Sequence, residues 1–302
     1  MGWVIQPFIV ICFIFAITAT YFFAGYLAYE KGAGKSVDGD QLISGFFKTD
    51  GSQKDILKKS LLIALVFTAI LFVHVILLKF RISPLKPISI YCSLVIIWTL
   101  THSILELAGI KKFGWLIGWL LRLLIPFLIT YGWNYYPNYL TINLTAFLMT
   151  LWFLIQFRNI RLIQLIPFLI GILIYDAVAV FKTEMMQAVA KFAVDRSLPM
   201  LFIVPASFSL SSQRFFGLGM GDVIFPGLII MIGIRKAKHY KNKLLGILPM
   251  IGYIIGLLAT LAVLFLTRFP QPATIYLFPF TLAGLFLAAW ITGVKKKIFE
   301  DN

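Results

Sequence analysis

Charge is scarce in this chain. Only 13% of its 302 residues are Asp, Glu, Lys or Arg, against about a quarter in soluble domains, which excludes an ordinary water-soluble fold. Acidic residues are scarcest, twelve in all, so each one inside an apolar run stands out. The three histidines, His74, His102 and His239, lie far apart and no His-Glu-x-x-His occurs, which excludes the helix of a zinc protease. A Gly-x-Ser-Gly tetrad is also missing, so serine chemistry of the rhomboid kind has no nucleophile here. The two cysteines, Cys12 and Cys92, fall in separate apolar runs without metal spacing and are expected to pack as small hydrophobic residues, with no disulfide and no metal site. Gly32-Ala33-Gly34-Lys35-Ser36 imitates the end of a phosphate-binding loop, but Tyr29 stands where the leading glycine belongs and no strand precedes it, leaving a flexible loop. No cofactor is implied.

Apolar sequence is what the chain has in abundance: 60% hydrophobic residues and a mean hydropathy of +0.93. A membrane-crossing helix takes about 20 mostly apolar residues. Runs between charged or Pro/Gly breaks predict spans near 3–29, 57–78, 87–106, 113–131, 139–156, 162–182, 217–234, 244–267 and 273–294. The expected fold is therefore an all-α integral membrane protein of about nine transmembrane helices. It reads as one polytopic domain over 1–302: a six-helix part over 1–182, an external loop over 183–216 and a three-helix part over 217–302. No basic leader or Ala-x-Ala site marks the first run, so it is expected to be a retained span.

The net charge of +15 does not point to nucleic acid, because the cations sit at the ends of apolar runs and not on a basic, aromatic face. With the N-terminus outside, clusters such as Lys54-Lys58-Lys59, Lys111-Lys112, Arg235 to Lys243 and Lys295-Lys296-Lys297 all fall on the inner side. The bias predicts an external N-terminus and a cytoplasmic C-terminus. The short loops and lack of targeting signals favour a prokaryotic plasma membrane, with lipids as the surroundings.

A charge in hydrocarbon costs about 2.5–3.5 kcal/mol even on lenient scales, so an intramembrane ionisable residue is a functional candidate by default. The candidates are Asp176, Asp222 and Arg122, with His74, His102 and Glu106 nearer the edges. Asp176 lies fourteen residues beyond Leu162, about 21 Å up its helix, and Asp222 lies five beyond Gly217, about 7 Å down the next. In a hydrocarbon layer about 30 Å thick these depths nearly coincide. Two carboxyls held close cannot both ionise, so one keeps a proton while the other activates water, as in aspartic proteases. Around Asp222, Gly217, Gly219 and Gly221 remove side chains where a helix or substrate backbone must approach, and Pro226 deprives the Asp222 carbonyl of its helical donor. Arg122 reads as a snorkelling or carbonyl-bound cation, and the histidines as packing residues.

These residues resemble the presenilin and signal peptide peptidase family of intramembrane aspartyl proteases. Tyr175-Asp176 matches the family's Tyr-Asp motif and Gly219-Met220-Gly221-Asp222 its Gly-x-Gly-Asp motif. The stretch Asp222-Val223-Ile224-Phe225-Pro226-Gly227, and Leu198-Pro199 through Val204-Pro205, resemble the signal peptide peptidase branch, and an archaeal homologue is the reading that results. The resemblance implies catalytic roles for Asp176 and Asp222, shaping roles for Tyr175, Gly219 and Gly221, and transmembrane helices of type II or signal-peptide-like topology as substrates. The family's Pro-Ala-Leu motif becomes Pro272-Ala273-Thr274, which carries its site-shaping role over least securely at Thr274. Leu198 to Val204, strand-like between two prolines, is a candidate for pairing with an extended substrate. Partner proteins are not implied, and a homo-oligomer is left open. Two other readings remain at this point. A prepilin-type peptidase shares Gly-x-Gly-Asp but has fewer spans, and an ion-coupled transporter or channel would use the aspartates as ion ligands.

Overall fold

A computed structural model describes residues 115–157, 160–181, 190–191, 193–195, 197–205, 215–267, 271–295 and 297–299, with Leu94, Ile97, Trp98 and Thr101 as isolated helical residues. In chain order these form helices α1 (Trp115–Tyr135), α2 (Tyr139–Gln156) and α3 (Leu162–Phe181), strands β1 (Leu201–Pro205) and β2 (Phe215–Gly219), and helices α4 (Met220–His239), α5 (Leu244–Thr267) and α6 (Thr274–Ile291). The expected spans 3–29 and 57–78, and all but four residues of 87–106, lie outside the described residues. So do Cys12, Cys92, His74, His102 and Glu106 and the Arg122 side chain.

Among the described residues, α2, α5 and α6 are long and apolar enough to cross a membrane. Their 18, 24 and 18 residues extend about 27, 36 and 27 Å. Helices suit that solvent because they bond every interior peptide group within the segment. Side chains close the ends. Asn138 Oδ1 accepts from the amides of Leu140 and Thr141 at 3.0 Å, while Thr141 Oγ1 accepts from the Asn138 amide at 3.1 Å, a reciprocal cap that starts α2. Gln164 Oε1 accepts from the Arg161 amide at 3.0 Å and does half of the same work for α3.

The predicted spans over 139–156 and 244–267 coincide with α2 and α5, and 162–182 and 273–294 differ from α3 and α6 by no more than three residues at an end. Two boundaries move. The helix expected from 113 to 131 runs on to Tyr135, where Phe127, Tyr131 and Tyr135 stack along one face. The helix expected from Gly217 begins at Met220, because 215–219 pairs as a strand, and it continues through the basic end to His239. The all-α expectation thus misses one element, an antiparallel hairpin.

The described residues fall into two compact units. One contains α1, α2 as far as Phe153 and the hairpin, in which Leu201 pairs with Gly219, Phe202 with Leu218, Ile203 with Gly217, Val204 with Phe216 and Pro205 with Phe215. The chain enters β1 through a helical segment closed at Ser197, whose φ of 53° places it in the left-handed region. The Leu198 amide there bonds the Ala193 carbonyl at 2.7 Å, the pattern of a helix C-cap.

The other unit contains α3, α5, α6 and α4 from Gly221 onward. Glycines draw α5 and α6 together. A β-carbon at Gly252 would strike the Phe280 carbonyl, one at Gly256 would stand 3.0 Å from the Tyr276 carbonyl oxygen, and one at Gly284 would strike the Leu248 carbonyl. As one number rises the other falls, so the helices are antiparallel, in the backbone-to-backbone contact that small residues four apart permit in membranes. Gly233 of α4 meets the Leu245 carbonyl of α5 in the same way. Leu257, Leu277 and Leu285 fill the interior, while Leu266, Trp290 and Ile291 face outward.

Candidate active site

Asp176 lies in the last third of α3, and 7% of its surface is exposed. An ionisable side chain at such a position is expensive unless it is hydrogen-bonded. Its partner is Thr274, the first residue of α6, 2% exposed, whose hydroxyl donates to Asp176 Oδ2 at 2.7 Å. Such a bond contributes about 0.5–1.5 kcal/mol to a neutral acceptor and about 1.5–3 kcal/mol to an ionised one. Thr274 is free to make it because it opens a helix: it has no carbonyl four residues earlier within α6 to turn back to, as Thr281 has in Leu277. Pro272 and Ala273 supply the preceding bend. Both are buried, the Pro272 carbonyl accepts from the Ile275 amide at 3.2 Å, and the Ala273 carbonyl accepts from the Tyr276 and Leu277 amides.

Asp222 is the third residue of α4 and is half-buried. Two contacts fix its level. At the far end, Arg235 Nη2 donates to the Ile160 carbonyl at 2.8 Å, tying the end of α4 to the segment that opens α3. From Arg235 back to Asp222 is about 20 Å of helix, and from Leu162 up to Asp176 about 21 Å. At the near end, Phe225 of α4 meets Phe278 of α6 edge-on, ring centroids 6.2 Å apart. Asp222 stands one turn before Phe225, and Thr274 one turn before Phe278. Both routes bring Asp222 to the level of the Asp176–Thr274 pair.

Tyr175 precedes Asp176 on α3 and is buried. Gly219 closes β2, and Gly221 lies in the first turn of α4, where a β-carbon would meet the Phe225 ring at 3.6 Å. The residue that departs from the family motif, Thr274, is the one bonded to Asp176. Asn143, in the first turns of α2, was not singled out from sequence. Its carboxamide engages the Ile203 backbone, and its only mark in sequence is polarity inside an apolar run. His239 is exposed at the end of α4, edge-on to Tyr240. Among the described residues no three His, Cys, Asp or Glu side chains are grouped to hold a metal ion.

A family model described as signal peptide peptidase matches residues 3–302. The chain is 31% identical over 146 residues to signal peptide peptidase-like 2A of Mus musculus, 43% of this chain and 28% of that protein. It is 30% identical over 135 residues to the signal peptide peptidase of Homo sapiens, 43% of this chain and 35% of that protein. A probable intramembrane protease of Schizosaccharomyces pombe is 32% identical over 135 residues, 42% of this chain and 44% of that protein. Each match spans less than half of the relative's length. With its apolar helices and a match running from residue 3 to its last residue, the chain is a multi-pass membrane protein that belongs to the signal peptide peptidase family.

Proposed function

We propose that this protein is an intramembrane aspartyl endopeptidase in which Asp176 and Asp222 share the catalytic work. The observation that carries the reading is the buried Asp176 carboxyl held by the Thr274 hydroxyl at 2.7 Å, and helix lengths that put Asp222 at a similar level support it. Membership of the family, with relatives named as signal peptide peptidases and an intramembrane protease, supports it.

The chemistry follows from two carboxyls sharing a proton. The ionised one takes a proton from water as the water oxygen attacks the scissile carbonyl carbon. The protonated one gives its proton to the carbonyl oxygen, forming a tetrahedral diol. Collapse of the diol breaks the C–N bond as a proton passes to the leaving nitrogen. Thr274 orients Asp176 through Oδ2, leaving the other oxygen for water or substrate, while Gly219 and Gly221 keep the approach clear. A substrate helix must unwind first, since its carbonyls are otherwise engaged in its own hydrogen bonds. The extended segment then adds to the hairpin as a third strand, on the β2 side, because β1 is already paired with β2 on one edge and engaged by Asn143 on the other. The full architecture in this reading has nine spans, an external N-terminus and a cytoplasmic C-terminus in a prokaryotic plasma membrane. The substrates are single-span helices of type II topology or remnant signal peptides, and no partner protein is required.

The test is cleavage of a single-span type II substrate by the purified protein in detergent, with products identified by mass spectrometry. Cleavage within the span by the parent and by neither Asp176→Asn nor Asp222→Asn is the expected result. Products that persist in both variants would remove the aspartates from the mechanism.

A further inference from the structure

The end of α4 opposite Asp222 is strongly basic. Over 235–243 and 293–302 the chain carries eight Lys and Arg against two acidic residues, Glu300 and Asp301. Lys238, Lys241 and Lys243 are exposed around the turn from α4 to α5, and Lys295 and Lys297 are exposed on the segment after α6. Among the described residues of this unit the acidic side chains are Asp176 and Asp222, and Asp222 stands about 21 Å along α4 from Lys236.

The segment after α6 is built into the fold. Gly293, at a φ of 74°, turns the chain out of the helix, and the Val294 amide closes the turn on the Ala289 carbonyl at 2.9 Å, the bond pattern of a Schellman cap. Val294 and Ile298 are buried, and Phe299 packs against Phe286 with ring centroids 6.1 Å apart. Lys236, itself 2% exposed, donates from Nζ to the Lys297 carbonyl at 2.9 Å. A buried ammonium is costly unless it is bonded. This one pins the chain at Lys297 to the last turn of α4, so the lysines of the segment and those of the α4–α5 turn share one end of the unit.

Both groups of lysines stand where apolar surface gives way. On α5 the exposed row of Leu244, Ile247 and Ile251 begins directly after Lys243, and on α6 the exposed row of Leu287, Trp290 and Ile291 ends just before Lys295. The contact of Gly284 with Leu248 puts these two rows side by side. The Lys295 ammonium lies over the Trp290 ring, 5.3 Å from its centroid. A tryptophan on a membrane helix favours the headgroup level, and a lysine beside it reaches the same level. The anions at that level are lipid phosphates, which attract an ammonium. A free polyanion would match the lysines but not the apolar rows beside them.

We propose that the α4–α5 turn and the segment 293–299 together form a binding surface for anionic phospholipid. Lys241, Lys243, Lys295 and Lys297 engage the phosphate, and the exposed rows of α5 and α6 lie along the acyl chains. The surface is remote from the carboxyls and stands independently of the protease reading.

The test is native mass spectrometry of the full-length protein in detergent, titrated with phosphatidylglycerol or with phosphatidylcholine of the same acyl chains, and then with inorganic phosphate as competitor. Phosphatidylglycerol is expected to bind about tenfold tighter or more. Each lysine near an anionic surface strengthens attraction about fivefold. Lys241→Gln/Lys243→Gln and Lys295→Gln/Lys297→Gln should therefore each weaken phosphatidylglycerol binding by about five- to twentyfold. Phosphatidylcholine binding and the unfolding temperature should stay near the parental values, because the four side chains are exposed. The corresponding Lys→Arg pairs should bind as the parent does, and so should Lys191→Gln, an exposed lysine of the other unit. Equal affinity for the two lipids overturns the proposal, as does parental phosphatidylglycerol affinity in both Gln double variants. An equal loss in Lys191→Gln would make the attraction one of overall charge and overturn the site. Displacement of phosphatidylglycerol by inorganic phosphate would reassign the surface to a free anion and overturn the lipid.

Discussion

The α5–α6 seam and the hairpin are held by opposite means. In the seam, cohesion comes from missing side chains: Gly252, Gly256 and Gly284 let two backbones meet. Around the hairpin, and again at Asp176, cohesion comes from single polar side chains, Asn143 and Thr274, each placing one particular group. Apolar helices in lipid gain nothing from burying hydrophobic surface against each other, so close approach and hydrogen bonds are the means left. Close approach confers rigidity. A hydrogen bond confers position, and the chemistry needs position.

The contrast predicts where a methyl group is tolerated. Gly252→Ala and Gly284→Ala are expected to lower stability by about 1–3 kcal/mol or more, and Gly252→Leu to prevent folding, as read by thermal unfolding and yield in detergent. Gly217→Ala, whose β-carbon would stand 3.9 Å from Leu201 Cδ1, should leave the unfolding temperature near the parental value. Equal losses at Gly252 and Gly217 would erase the distinction.

Substitutions at the polar positions should divide activity from stability. Asp222→Asn is expected to reduce turnover by about 10³-fold or more with little change in unfolding temperature; a large drop in that temperature would make Asp222 a structural group instead. Thr274→Val, which keeps shape and removes the hydroxyl, should lower kcat by about 10- to 100-fold, with Thr274→Ser restoring most of it. If Thr274→Leu proves as active as the parent, the hydroxyl positions nothing.

The smallest expected effect belongs to the helix ends. Asn138→Ala should cost about 1 kcal/mol of stability, measured by chemical unfolding, and leave cleavage unaltered. Asn138 caps α2 through the amides of Leu140 and Thr141.

Much of this was legible in the chain itself. Apolar runs bounded by charge locate α2 and α5 to the residue, because lipid tolerates only self-satisfied helices and a lysine or proline ends them visibly. Asp176 and Asp222 are conspicuous because acidic residues are so rare in the spans. The start of α4 was not legible: Gly217-Leu218-Gly219 reads equally well as the top of a helix or as a strand, and pairing with Leu201–Ile203, more than a dozen residues earlier, makes it a strand. Thr274 was visible only as a departure from a motif, and Asn143 only as one polar residue among apolar ones.

Sequence alone determined the solvent, most boundaries of the described helices and the identity of the two rare carboxyls, since each follows from local composition and the cost of charge in hydrocarbon. Tertiary structure alone decided that Thr274 bonds Asp176 across 98 residues and that Asn143 occupies Ile203 across 60. A hydrogen bond depends on where two distant segments meet, and nothing in the local sequence of either partner encodes that distance.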